Sequence, residues 1–317
     1  KMNRKVLDMR DVFFKKTAKL MKQDKNIILI TNDMGAPSLD LIKSNFNDRI
    51  FNLGITEQNI ISTAAGLASR GKKVIVYSIS TFITLRALEQ IKLDLCVMKL
   101  PVIIVTVGAG YAYAVDGPTH HAIDDISVMN SLANINIFSP SDPDHLESIT
   151  NKIFKLKNLS YLRLDRGKYP KLEHKKKHFD DGFRIVKKGK NVCVISTANM
   201  VHESLKIAKE LKKRGIDLQI IDLFRIKPLN IQRITTILKK FRKICIIEEH
   251  SKNGGLGSIL IKNLHDKVSR KCKFLHIGIE DEDLYTYGSR NYIHKMSGLD
   301  NHSLIRKIKK FSQLRLI

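Results

Sequence analysis

The sequence predicts an α/β fold of two doubly wound domains, a larger one with a mostly parallel sheet followed by a smaller one. Three observations predict it. Short continuous runs of Ile and Val recur along the chain, as in strands buried on both faces. Longer stretches with apolar residues at helical spacing separate them, as right-handed crossovers between parallel strands require. The 317 residues, 43% of them apolar, suffice for two buried cores.

In chain order, Asp8 to Gln23 reads as an amphipathic helix and IILIT (Ile27 to Thr31) as a buried strand. A helix starts near Thr56, a residue suited to the N-cap, and ends by Gly71. Then come the strand KVIVYSI (Lys73 to Ile79), a helical stretch from Leu85 to Met98 and the strand PVIIVTV (Pro101 to Val107). A small-residue loop from Gly108 to Val115, another helix and the strand YLRLD (Tyr161 to Asp165) complete a first domain, residues 1–170. Residues 171–190 are polar and basic and read as a linker with one hairpin strand. The alternation resumes over 191–317: NVCVIST (Asn191 to Thr197), a helix to Arg214, DLQIIDL (Asp217 to Leu223), a helix near Ile231 to Phe241, KICIIEE (Lys243 to Glu249), a helix after Gly257 and KFLHIGI (Lys273 to Ile279).

The formal charge is +25, yet only HKKKH (His174 to His178) forms a tight basic cluster, and no aromatic-interleaved basic motif occurs. We therefore expect no nucleic-acid partner. A positive field suits the steering of anionic sugar phosphates or an acidic partner subunit. Four separated cysteines (Cys96, Cys193, Cys245, Cys272) fit buried thiols, and no apolar run approaches a membrane span, so a cytoplasmic location without membrane contact is expected.

Three local patterns carry chemistry. Gly54-Ile55-Thr56-Glu57-Gln58-Asn59 stands where a loop enters a helix, and Glu57 there is at least a complement to the helix dipole. Asp116-Gly117-Pro118-Thr119-His120-His121 follows a buried strand, where open parallel sheets bind ligands. Two histidines beside a carboxylate can trade protons near neutral pH or sit solvated in a loop, and their spacing does not match zinc sites, so no metal is assigned to this chain. Glu248-Glu249-His250 followed by Gly254-Gly255-Leu256-Gly257-Ser258 leaves open a phosphate cradle or a tight turn.

Taken in order, GITEQN, STFITLRALEQIKLD (Ser80 to Asp94), DGPTHH, YLRLDRG (Tyr161 to Gly167) and EEHSKNGGLGS resemble the pyrimidine-binding and C-terminal domains of the transketolase family. The resemblance runs from about Asn26 to the end, and TYGSRNYIHKMSGLD (Thr286 to Asp300) is similar to the last helical hairpin of transketolases and deoxyxylulose-phosphate synthases. It implies thiamine diphosphate as cofactor and transfer of a two-carbon ketol unit from a ketose, free or phosphorylated, to an aldose. By the resemblance Glu57 bonds the pyrimidine nitrogen and Phe82 stacks on the ring, with Asp33 and Ile55 also at the cofactor. Asp116 and His120 contact substrate hydroxyls and handle protons, with His121 in a lesser role. Arg166 grips a substrate phosphate, Arg163 is a second candidate, and Ser38 reaches the substrate. The family's further stacking aromatics are replaced here by Leu85 and Leu88, and its phosphate-binding histidine by Gly108.

The family's diphosphate and metal motif, GDG followed by paired asparagines, is absent from this sequence. The resemblance thus implies a separate N-terminal subunit that holds the diphosphate and Mg2+ (or Ca2+), the chains pairing into a heterotetramer. Two relatives offer other readings: the beta subunit of a 2-oxoacid dehydrogenase, which normally shows a different histidine loop, and half of a deoxyxylulose-phosphate synthase. A basic scaffold without activity is the non-enzymatic alternative.

Overall fold

The structure, a computed structural model, describes residues 6–36, 38–172, 179–268, 272–281 and 286–314. The first unit runs β1 (Val6–Asp8), α1 (Met9–Gln23), β2 (Ile27–Thr31), α2 (Leu39–Asn45), β3 (Ile50–Asn52), α3 (Glu57–Ser69), β4 (Lys73–Ile79), α4 (Ser80–Arg86), α5 (Leu88–Gln90) and β5 (Ile103–Val107). It continues through α6 (Asp125–Asn130), β6 (Ile135–Phe138), α7 (Pro143–Ile153), β7 (Leu159–Leu164) and β8 (Lys168–Pro170). The second unit holds β9 (Phe183–Lys187), β10 (Val192–Ser196), α8 (Asn199–Lys213), β11 (Leu218–Leu223), β12 (Arg225–Lys227), α9 (Ile231–Leu238), β13 (Lys243–Ser251), α10 (Leu256–Leu264), β14 (Lys273–Ile279), α11 (Arg290–Met296) and α12 (Asn301–Gln313).

The larger sheet has the order β12-β6-β7-β5-β4-β2-β3 and is parallel except at β12. Successive residues of its strands divide between two apolar layers, which is why the strands read as unbroken apolar runs. Ile28, Ile30, Val74 and Val76 join Ile60 and Ala64 of α3, whereas Ile27, Leu29, Ile75 and Tyr77 join Phe13 and Phe14 of α1. The smaller sheet, β14-β13-β10-β11-β9, is parallel except at β9.

The structure departs from the sequence reading in several places: α2 and β3 were not expected, and the one helix expected between Val115 and Tyr161 is α6, β6 and α7. Helix begins at Ser80, directly at the end of β4, and Ile91–Val97 winds as a π-helical turn, so the expected helix from Leu85 to Met98 is longer and less regular. An unexpected short strand, β8, pairs antiparallel with β1 just before the connecting segment, which itself holds one described strand, β9, antiparallel to β11. HKKKH lies outside the described residues. Finally, β12 belongs to the second unit in sequence but pairs antiparallel with β6 of the first sheet. Lys227 fastens this crossing by donating to the carbonyls of Asn130 at 2.8 Å and Leu132 at 2.5 Å. No helix among the described residues is long and apolar enough to cross a membrane.

Candidate active site

The C-terminal ends of the adjacent parallel strands β2, β4 and β5 lie side by side, the edge at which sheets of this topology bind ligands in a cleft. Glu57 opens α3 and is only 4% exposed. A carboxylate at that depth needs donors, and two converge on its Oε1. Asn32, just past β2, donates from Nδ2 at 3.2 Å, and Arg86, at the end of α4, donates from Nη1 at 3.0 Å. The Asn32 amide also donates to Ser78 Oγ of β4 at 2.8 Å, which fixes its orientation. Thr56 occupies the N-cap position without making the cap bond; its hydroxyl donates back to the Leu53 carbonyl at 2.9 Å.

Phe82 lies one helical turn before Arg86, and the guanidinium carbon sits 4.3 Å from its ring centre. The His120 ring meets Phe82 edge-on at 4.9 Å and lies 5.9 Å from Tyr113, over which Arg166 rests at 4.6 Å. Glu57, Arg86, Phe82, His120, Tyr113 and Arg166 therefore form one line of contacts from the start of α3 to the end of β7. His120 Nδ1 is 3.0 Å from Thr119 Oγ1. Asp116 is exposed on the same loop, just before Gly117. Gly117 has φ 81°, and a Cβ there would strike the Tyr287 ring of the second unit, so no larger residue serves.

Other expected residues sit differently. Asp33 and Ile55 are exposed near Glu57, Asp33 being held by Asn52 through its backbone N–H at 2.8 Å. Ser38 is buried and donates to Asp11 Oδ1 of α1 at 2.7 Å. Arg163 is buried, not poised for substrate: its Nε donates to Asp125 Oδ2 at 2.6 Å and its Nη2 to the Ala122 carbonyl at 3.0 Å. The paired histidines diverge as well. His121 is buried, edge-on to Tyr111 at 4.9 Å, and burial pushes its imidazole below the usual range, which keeps it neutral.

The glycine-rich turn is a helix cap rather than a phosphate cradle. The Glu248 carboxylate already fills the N-terminus of α10, accepting from Leu256 N at 2.6 Å and Gly257 N at 2.8 Å, with His276 Nε2 a further 2.6 Å contact. Its neighbour Glu249 anchors Arg290, which joins the two units. Arg290 donates from Nε to Glu249 Oε1 at 2.8 Å and from Nη1 and Nη2 to the two Asp165 oxygens at 3.0 and 2.6 Å, while His294 also bonds Glu249. Burial pushes the Glu249 carboxyl up, but Arg290 and His294 outweigh it and hold the group well below the usual carboxylate range. Among the described residues, Asp142, His145 and Asp222 have the spacing of a metal site. A cation is already there: Arg184 bonds Asp142 and donates from Nε to Asp222 Oδ2 at 2.8 Å.

Residues 5–171 match the family described as transketolase, pyrimidine binding domain, and residues 182–304 match transketolase, C-terminal domain. The chain belongs to the transketolase family. It is 30% identical over 261 residues to a subunit of the apulose-4-phosphate transketolase of Actinobacillus succinogenes, covering 82% of this chain and 84% of that one. It is 31% identical over 303 residues to 1-deoxy-D-xylulose-5-phosphate synthase of Clostridium acetobutylicum, covering 94% of this chain and 48% of the synthase, about half its length. Among solved structures, a split gene transketolase in an inactive beta4 tetramer superposes with a TM-score of 0.87 at 27% identity, over 97% of this chain and 99% of that one.

The family uses thiamine diphosphate, and the residues present fit its aminopyrimidine end. Asn32 Oδ1 is a buried acceptor with no partner among the described residues, beside the Glu57 carboxylate. Asn32, Ser78, Arg86 and Tyr113 were not singled out in the sequence. Arg86 was the most accessible of these, since it stands four residues after Phe82 on a helix, the spacing at which side chains meet.

Proposed function

We propose that this chain is the pyrimidine-binding subunit of a split transketolase that moves a two-carbon ketol unit from a ketose, free or phosphorylated, to an aldose. The line of contacts from Asn32 and Glu57 through Arg86 and Phe82 to His120 carries this reading. Thiamine diphosphate would supply the electron sink for carbon–carbon cleavage. Glu57 would accept a hydrogen bond from, or share a proton with, the pyrimidine ring nitrogen, Asn32 Oδ1 would take its amino group and Phe82 would stack on its face, with Asp33 and Ile55 at the rim. His120 and Asp116 would bind substrate hydroxyls and move the proton at the reacting oxygen. Arg166 is suited to a phosphate at the far end of the substrate.

The diphosphate and its Mg2+ (or Ca2+) would be held by a separate N-terminal subunit, in a cytoplasmic heterotetramer. The Actinobacillus relative is one subunit of its transketolase, and the beta4 tetramer is inactive; both support partner dependence. A half of a deoxyxylulose-phosphate synthase-like enzyme is the second reading, favoured by the 31% identity to the Clostridium protein. Co-purification from the native host, followed by thiamine diphosphate reconstitution, tests both. Ketol transfer between a ketose and an aldose supports the first; condensation of pyruvate with glyceraldehyde phosphate selects the second. Micromolar cofactor binding with turnover by the chain alone refutes the split assembly.

A further inference from the structure

The two contacts that this function assigns to the aminopyrimidine ring are made, in this structure, by a side chain of the protein itself. The Arg86 guanidinium lies 4.3 Å from the Phe82 ring centre and donates to Glu57 Oε1 at 3.0 Å. A guanidinium is planar, delocalised and edged with N–H donors, so it can lie on an aromatic ring and bond a carboxylate with its rim, as an aminopyrimidine does. We propose that Arg86 is a placeholder in the aminopyrimidine site: it pairs the buried Glu57 carboxylate and swings aside when the ring arrives. The inference rests on the cofactor reading above.

The surroundings favour such an exchange. Arg86 has 50% of its side chain exposed, whereas Arg163 and Arg184, paired to carboxylates elsewhere in the chain, are at 3% and 2%. A half-exposed ion pair is screened by water, and an exposed cation–π contact is weak, so displacement costs little. A groove of about 730 Å³ lies against Arg86, lined also by Gln58, Leu85 and Glu89, and gives the side chain room and a carboxylate to move towards. Asn32 keeps its bond to Glu57 throughout, so the carboxylate retains one donor during the exchange.

The test uses the neutral hydroxymethyl-aminopyrimidine fragment of thiamine, which has neither thiazolium nor phosphate and so needs no partner subunit. It is titrated into the full chain and followed by ligand-observed NMR. Removing a half-exposed pair and a cation–π contact in Arg86→Ala should tighten binding about tenfold. Arg86→Met, which keeps the aliphatic stem, should bind more tightly than wild type, and Arg86→Lys should fall between. Equal or weaker binding by both Arg86→Ala and Arg86→Met, or no binding by either, overturns the placeholder. The cofactor reading fails separately, if the co-purified complex binds no thiamine diphosphate in the presence of magnesium. A complex that turns over while the fragment ignores the substitutions sinks the placeholder alone.

Discussion

Two arginine–carboxylate clusters flank the loop from Gly108 to His121, and they differ in depth. At the cleft, Arg86 is half exposed and meets one carboxylate, Glu57. At the junction of the two units, Arg290 has 22% of its side chain exposed and is locked to Asp165 and Glu249, which are at 1% and 2%. Depth decides what each can do. A cation held between two buried carboxylates cannot leave without stranding their charge, so it acts as a fastener. A water-screened pair gives up little when exchanged, so it can stand in a binding site.

The largest effect should come from breaking the deep cluster. Arg290→Met leaves two buried carboxylates without their cation and should cost about 3–5 kcal/mol of stability, read from urea unfolding; a loss under about 1 kcal/mol would place the network among ordinary surface pairs. Acid should act on the same cluster. Because the folded Glu249 carboxyl is held below its unfolded value, the stability it contributes is present above that unfolded value and is lost as pH falls towards the folded one. Stability should therefore decline as the pH drops through about 4, and less steeply in Arg290→Met. An acid limb that the substitution leaves untouched would contradict the assignment.

At the cleft the effects should move from stability to turnover. Glu57→Gln and His120→Ala should each lower turnover of the reconstituted complex by about a hundredfold or more, with little change in the unfolding midpoint. His121→Ala should show the reverse emphasis, since that ring is buried against Tyr111; a greater loss of turnover at His121 than at His120 would reverse their roles. The smallest effect belongs to Arg86→Ala, which should shift unfolding free energy by no more than about 1 kcal/mol. A larger loss would make Arg86 a fastener like Arg290.

Strands were the most legible part of the chain. Ile27–Thr31, Lys73–Ile79 and Val192–Ser196 read directly from their apolar runs because both faces of their sheets are covered. Strands β3 and β12 escaped notice because each is three residues long and is defined by its edge partner rather than by its own pattern. Glu57 and His120 were legible through short motifs and their order along the chain. Asn32 and Arg86 were not, because what marks them is the carboxylate they share across the sheet. The turn Gly254 to Ser258 misled for a related reason: its anion comes from Glu248, and a glycine-rich sequence looks the same whether the charge it cradles is its own or a ligand's.

The crossing of β12 onto the first sheet bears on how this protein can be divided. A chain cut anywhere between residues 171 and 224 would take β12 away and leave the backbone groups of β6 as an open edge, free to pair with any extended strand. The first unit made alone should therefore self-associate edge to edge, and a short peptide bearing Phe224 to Lys227 should suppress that association by completing the sheet. Two family signatures lie end to end along this chain, but the β12–β6 ladder stitches the second onto the sheet of the first, and a gene boundary placed between them would have to supply a new edge strand.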